Sequence, residues 1–182
     1  MAGSCGAGVK DALTSPMDPA TNTDCAVADR VELALPDLAA TRALGRRLAG
    51  LLRPGDVIAL SGPLGSGKTE LARALIRARA GAGIEVPSPS FTLVQDYPFR
   101  GLTIRHVDLF RIEAPAELAE LGVLDSGPED ALLIEWPEHA GNELPVDRLD
   151  VGLVQGASPE ARLARLAAGP SWADRLPSLL DD

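Results

Sequence analysis

The run Gly62-Pro63-Leu64-Gly65-Ser66-Gly67-Lys68-Thr69 constrains the fold more than any other part of the chain. It matches G-x-x-x-x-G-K-[S/T] in full, and such a loop works in one setting. Its glycines let the backbone curl until successive N–H groups point into one concavity, and a helix starting at its end adds a positive pole. A strand must therefore lead in and a helix must lead out. Both are present. Asp56-Val57-Ile58-Ala59-Leu60-Ser61 is short and mostly apolar, as a buried parallel strand is. From Lys68 to Ala80 the apolar Leu71, Leu75 and Ile76 share one helical face, and Gly81 is the stop. In such a concavity Lys68 reaches the β- and γ-phosphates and the Thr69 hydroxyl ligates Mg2+. The motif predicts a nucleotide phosphate site.

Strands and helices alternate around this unit. Val31 to Leu35 has an alternating strand pattern; Pro36 and Asp37 then open a helix with Leu38, Leu44, Leu48, Leu51 and Leu52 on one face, closed by Pro54-Gly55. Ser88-Pro89-Ser90 signals a loop, followed by strands over Phe91–Tyr97 and Leu102–Phe110 and a short helix over Ala116–Leu121. Ala131 to Ile134 is a very apolar strand running into Glu135-Trp136-Pro137. Two antiparallel strands near Leu149–Val154 and Ala161–Ala167 precede an amphipathic tail around Trp172–Leu180. There is no internal repeat. This order predicts an α/β fold of the P-loop NTPase type: one domain over 30–182 with a mixed, mainly parallel sheet flanked by helices.

Residues 1–29 are Gly, Ala, Ser, Thr, Pro and Asp with almost no large apolar side chain, and read as a disordered leader. The remainder is ordinary in composition: 46% hydrophobic and 24% charged over 182 residues excludes a wholly disordered chain and suits one domain. Acidic residues outnumber basic ones 26 to 17, for a net charge of −9, which argues against a protein that coats nucleic acid. Only Lys10 and Lys68 are lysine, so one of two lysines stands where the phosphate loop requires it. Cys5 and Cys25 have no metal-ligand spacing and no disulfide-framework count, which fits a reducing compartment. With no signal-peptide pattern and no run of about eighteen apolar residues, the expectation is a soluble cytoplasmic protein without membrane contact.

A P-loop enzyme places an acid at a strand end to serve the metal or polarise water. Glu135 ends the apolar run Ala131–Ile134, and Asp108 follows Ile104-Arg105-His106-Val107. Each has a bland alternative, as a strand-end cap or as partner of an arginine such as Arg105 or Arg111. Trp136 offers a broad π face for an adenine, or else a core side chain. His106 and His139 lack a second histidine at ligand spacing and read as structural or solvent-facing. Glu113, Glu117 and Glu120 mark a solvated helix face. Nothing has the pattern of a nucleophilic triad.

Gly62–Thr69, Ser88-Pro89-Ser90-Phe91-Thr92-Leu93-Val94, His106-Val107-Asp108-Leu109-Phe110-Arg111 and Ile134-Glu135-Trp136-Pro137-Glu138 occur in this order. With them the chain resembles the TsaE (YjeE) family, the small ATPases of bacterial tRNA threonylcarbamoyladenosine biosynthesis. The likeness runs from about Leu33 to Leu153. It implies that the chain binds ATP and Mg2+, hydrolyses ATP slowly and supports a TsaD–TsaB synthase pair. That pair threonylcarbamoylates adenosine 37 of tRNAs reading codons that begin with A, so tRNA is reached mainly through the complex. The resemblance also implies roles: Thr69 and Glu135 on Mg2+, and Asp108 in the metal shell or on water, with Lys68, Asp108 and Glu135 as the catalytic set. The nucleotide would meet Leu38, Gly62, Gly65, Ser66, Gly67, Glu70, Pro137 and Glu138, with Trp136 against the adenine. Ser88, Ser90 and Thr92 would belong to a switch-like loop responding to the γ-phosphate.

Departures are Pro63 and Glu70, where the family commonly has Asp and Thr, and Ser90 for a usual Thr. Gly156–Glu160 stands where many members have a nucleotide-contacting Arg, with Arg162 close by. Two rivals remain at the level of sequence: a stand-alone P-loop kinase for a small molecule, and a non-catalytic module in which ATP stabilises a binding surface.

Overall fold

The computed structural model describes residues 30–179, Val123 excepted. The expected disordered leader over 1–29, with Lys10, Cys5 and Cys25, lies outside the described residues. Its elements are β1 (Arg30–Leu35), α1 (Leu38–Leu51), β2 (Val57–Ser61), α2 (Lys68–Ala80), β3 (Val94–Phe99), β4 (Leu102–Asp108), α3 (Ala116–Leu121), β5 (Asp130–Glu135), β6 (Leu149–Gln155), β7 (Arg162–Ala168) and α4 (Pro170–Ala173). Single 3-10 turns follow β5 (Pro137–Ala140) and α4 (Leu176–Leu179). All seven strands form one sheet in the order β1-β7-β6-β2-β5-β4-β3. Its centre, β6-β2-β5-β4, is parallel, whereas β1, β7 and β3 join antiparallel at the flanks. The mixed, mainly parallel α/β sheet expected from the sequence is thus present.

Strand alternation divides the core into two layers. Ile58 and Leu60 of β2, Ile104 of β4 and Ala131 and Leu133 of β5 pack on the face that carries α1 and α2. Val57, Val107, Leu132 and Ile134 turn to the opposite face, against Leu109, Ile112 and Leu118. Asp37 caps α1 by accepting from Ala40 N at 2.8 Å, as a residue placed to satisfy an orphan donor does. The tail folds back onto the core. Leu176 and Leu179 are buried, on the order of 2 kcal/mol each in apolar transfer. Arg175 grips the buried Asp56 bidentately at 2.7 and 2.8 Å. Removing one partner would strand a buried charge at a cost of about 3–5 kcal/mol.

Three local expectations change. The strand expected from Phe91 begins at Val94, because Leu93 takes a positive φ of 63° and the chain still turns there. Phe91 is 88% exposed. The strand expected to reach Phe110 ends at Asp108, whose Oδ1 accepts from Phe110 N at 3.0 Å and turns the chain. Leu38 leaves the apolar face of α1 and is 45% exposed, since it sits in the first turn, ahead of the buried Thr41 and Leu44.

Candidate nucleotide site

β2 delivers the chain to the loop, and three glycines there take conformations that a side chain resists: φ is 134° at Gly62, 77° at Gly65 and 105° at Gly67. Gly62 has a second constraint, since a Cβ would lie 2.2 Å from Leu153 O on the neighbouring β6. Lys68 opens α2 and is 4% exposed. Its Nζ donates to Gly62 O at 2.7 Å and Pro63 O at 3.1 Å, and lies 3.6 Å from the Trp136 ring centroid. Burial holds the Lys68 ammonium below its ordinary pKa, while Glu135, Glu138 and Asp108 pull it back up. It is a buried cation whose ammonium donates to two loop carbonyls.

The two acids stand side by side, because β4 and β5 run parallel with Asp108 opposite Glu135. Glu135 is 1% exposed and Asp108 3%. Glu135 Oε2 accepts from the Thr69 hydroxyl at 2.8 Å, and its Oε1 lies 2.9 Å from His106 Nε2. Asp108 Oδ2 accepts from Ser88 Oγ at 2.8 Å and Ser90 Oγ at 2.7 Å. No arginine among the described residues pairs with either acid; Arg105 holds Asp96 instead. Asp108 does cap its strand end as well, through Phe110 N. Its role at the strand end and its place in the site are the same geometry.

His106 is the residue that sequence reasoning undervalued. Of the two structural settings open to it, it takes the buried one, at 0% exposure. It nevertheless sits within hydrogen-bond distance of the acid nearest the loop. The available signal was its position two residues before Asp108, which puts both on one face of β4. His139 is remote in role, its Nδ1 2.7 Å from Ile112 O.

Lys68, Thr69, Asp108, Glu135, Ser88 and Ser90 converge on a cavity of about 640 Å³. Trp136 and Phe110 form one wall, ring centroids 5.0 Å apart, and the exposed Leu64 and Phe91 stand at the mouth. A second cavity of about 470 Å³ shares Gly65, Gly67 and Glu70 with the first and adds Leu38, Thr41, Ser66, Pro159 and Arg162. Arg162 donates to Ser66 O at 3.0 Å through Nε and to Gly65 O at 3.2 Å through Nη2. A β7 side chain thus braces the loop from behind. Trp136, expected against the adenine, and Leu38, expected near the nucleotide, line different cavities. Thr92, Pro137 and Glu138 line neither. Thr92 and Glu138 are exposed.

The donor set fits a nucleotide with a hard cation. Ser66 Oγ is buried in the loop without a hydrogen-bond partner, and the buried Lys68 ammonium is held at the loop by two backbone carbonyls. Among the described residues no group of three or more His, Cys, Asp or Glu is placed to hold a metal alone. Thr69 and Glu135 together suit Mg2+, which takes one or two protein oxygens and completes its shell with phosphate and water.

The model of the family described as "Threonylcarbamoyl adenosine biosynthesis protein TsaE" matches residues 35–163, a span that contains the loop, both acids and Arg162. The chain belongs to the TsaE family. Proteins named tRNA threonylcarbamoyladenosine biosynthesis protein TsaE resemble it from several bacteria. That of Streptomyces coelicolor is 36% identical over 141 residues, covering 72% of this chain and 93% of the relative. That of Bacillus subtilis is 31% identical over 131 residues, covering 71% and 80%. That of Rickettsia felis is 37% identical over 113 residues, covering 62% of this chain and 66% of the relative's length. The crystal structure of Bacillus subtilis YdiB shares the fold, with a TM-score of 0.65 at 24% identity over 84% of this chain and 95% of that one. No helix among the described residues is long and apolar enough to cross a membrane.

Proposed function

We propose that this protein binds and slowly hydrolyses ATP in the cytoplasm, as an accessory of a TsaD–TsaB synthase pair that makes threonylcarbamoyladenosine at position 37 of tRNAs reading codons that begin with A. Family membership supports the pathway. The chemistry is supported chiefly by one observation, the contact of the Thr69 hydroxyl with Glu135 beside a phosphate loop whose buried lysine donates to loop carbonyls.

In this reading the loop N–H groups and Lys68 bind the triphosphate, and Lys68 exchanges Gly62 O and Pro63 O for phosphate oxygens. Thr69 and Glu135 would hold Mg2+, which would supply neutralisation of phosphate charge. His106 fixes the orientation of Glu135 through Oε1. Asp108 accepts a proton from, or orients, the attacking water, and Ser88 and Ser90 report its state to the loop they belong to. The base enters the Leu38–Arg162 cavity, which leaves Trp136 at the terminal-phosphate end beside Lys68. Loss of the γ-phosphate then releases the Ser88–Thr92 segment and resets the partner complex.

The test is ATP turnover measured alone and with the partner pair, together with tRNA modification. Lys68→Ala and Glu135→Ala should each abolish turnover and modification while the protein stays folded. Unchanged turnover in either variant overturns the reading.

A further inference from the structure

Beside the two cavities, with Glu70 at the boundary of all three spaces, α1 and α2 gather arginines on one surface. Gly45 makes this possible, because a Cβ there would stand 2.6 Å from Leu71 O and 2.8 Å from Ala74 Cβ. Only glycine lets the two helices cross so closely. Beside the crossing, Arg42 and Arg46 of α1 and Arg73 and Arg77 of α2 flank a groove of about 420 Å³. Each pair is spaced i,i+4, which sets its members about 6 Å apart along the helix. One acid answers the four bases: Glu70 takes Arg42 and Arg73, each at 2.8 Å. Among the described residues Arg77 donates through Nε alone, to Ile84 O at 3.1 Å. Arg46 is exposed and has no partner among the described residues. Like charges one turn apart repel, and Glu70 offsets this at Arg42 and Arg73 but forms no ion pair with Arg46 or Arg77.

We infer that the groove binds the phosphate backbone of RNA, and that tRNA meets this protein directly here. Guanidinium forks pair bidentately with phosphate oxygens, and two rows of them on either side of a groove can follow a strand. The small Ala74 and Ala78 leave the groove open to a close approach. A net charge of −9 does not oppose this, because binding answers to the local field and not to the sum over the molecule. The choice of RNA among polyanions rests on the function proposed above.

The test titrates labelled, unmodified tRNA with the full chain at about 50 mM salt, follows anisotropy and repeats the series at rising salt. The variant is Arg46→Ala/Arg77→Ala, which touches neither nucleotide cavity. Wild-type binding should weaken steeply with salt; the double variant should bind about tenfold or more weakly, with the salt slope smaller by roughly 1.5. Its ATP turnover and thermal unfolding should match the wild type. Arg46→Glu/Arg77→Glu should lose more. Wild-type protein that fails to bind tRNA, or binding that both variants leave unchanged, overturns the inference. So does polyglutamate competing with tRNA charge for charge, which assigns the groove to an acidic protein segment. Failure here with normal ATP turnover leaves the proposed function standing, whereas absent turnover with intact tRNA binding overturns the ATPase reading alone.

Discussion

The loop Gly62–Thr69 separates two cavities that are built in different ways. On one side, Lys68, Thr69, Asp108 and Glu135 project from the ends of parallel strands and the start of α2, and their hydrogen bonds reach no farther than the adjacent strand or loop. On the other side, Leu38 comes from the first turn of α1 and Arg162 from β7, a strand that reaches the centre only through β6. In the proposed function the first would take phosphate and metal, where charge must be placed to within tenths of an ångström. The second, where Asp37, Glu70, Glu160 and Arg162 join Leu38 and loop backbone, would take the base and sugar. On that reading rate depends on the first cavity and affinity on both.

Substitutions can break that division of labour. The largest effect belongs to Glu135→Ala, which should lower turnover about 100- to 1,000-fold, the scale for losing a group aimed at transition-state charge; phosphate release measures it. His106→Ala removes a side chain that orients Glu135 without touching the nucleotide. It should cost about 10- to 100-fold in turnover or in Mg2+ requirement, with ATP affinity in the absence of Mg2+ unchanged. An equal loss of metal-free affinity would remove the positioning role. Arg162→Ala takes two hydrogen bonds from the back of the loop. At about 0.7 kcal/mol net for each of the two bonds, nucleotide affinity should fall about tenfold with turnover at saturation little changed, as read by calorimetry and steady-state kinetics. A selective fall in turnover would erase the contrast between the cavities.

The smallest effect is in pH. Burial lowers the Lys68 pKa in the free protein, and phosphate binding requires the charged form. Affinity should therefore fall as pH rises through that lowered value, earlier than an ordinary lysine would dictate. Because an anion restores the charge, binding in that range should take up a proton. Calorimetry in buffers of different ionisation enthalpy reads this, and proton release instead of uptake would refute it.

Much of the phosphate side was legible because its residues obey short-range rules. A glycine-rich loop needs a strand before it and a helix after it, and the apolar run Ala131–Ile134 carries the chain to Glu135 at the carboxyl end of its strand. Register then does the rest: once β4 and β5 pair in parallel, Asp108 and Glu135 become neighbours. The Phe91–Leu93 segment was harder. Its apolar and β-branched residues suggest a strand, yet Asp108 holds the preceding Ser88 and Ser90 hydroxyls and Leu93 adopts a left-handed turn. His106 was passed over because a lone histidine carries no spacing signal until its strand has a face.

The chain's local pattern determined the loop, the strand that feeds it, the helix that leaves it and the acids at two strand ends, since each follows from dihedral freedom or from alternation over a few residues. Tertiary structure alone decided which elements lie across the sheet from one another. It set β7 behind the loop, so that Arg162 braces Gly65 and Ser66, and it placed Trp136 beside Lys68. It also crossed α1 over α2 at Gly45 and collected four arginines in one groove. Those contacts span some thirty to a hundred residues of chain, and no periodicity encodes them. They arise because the parallel sheet must bury both faces, and the elements that cover it carry their polar residues wherever the packing leaves them.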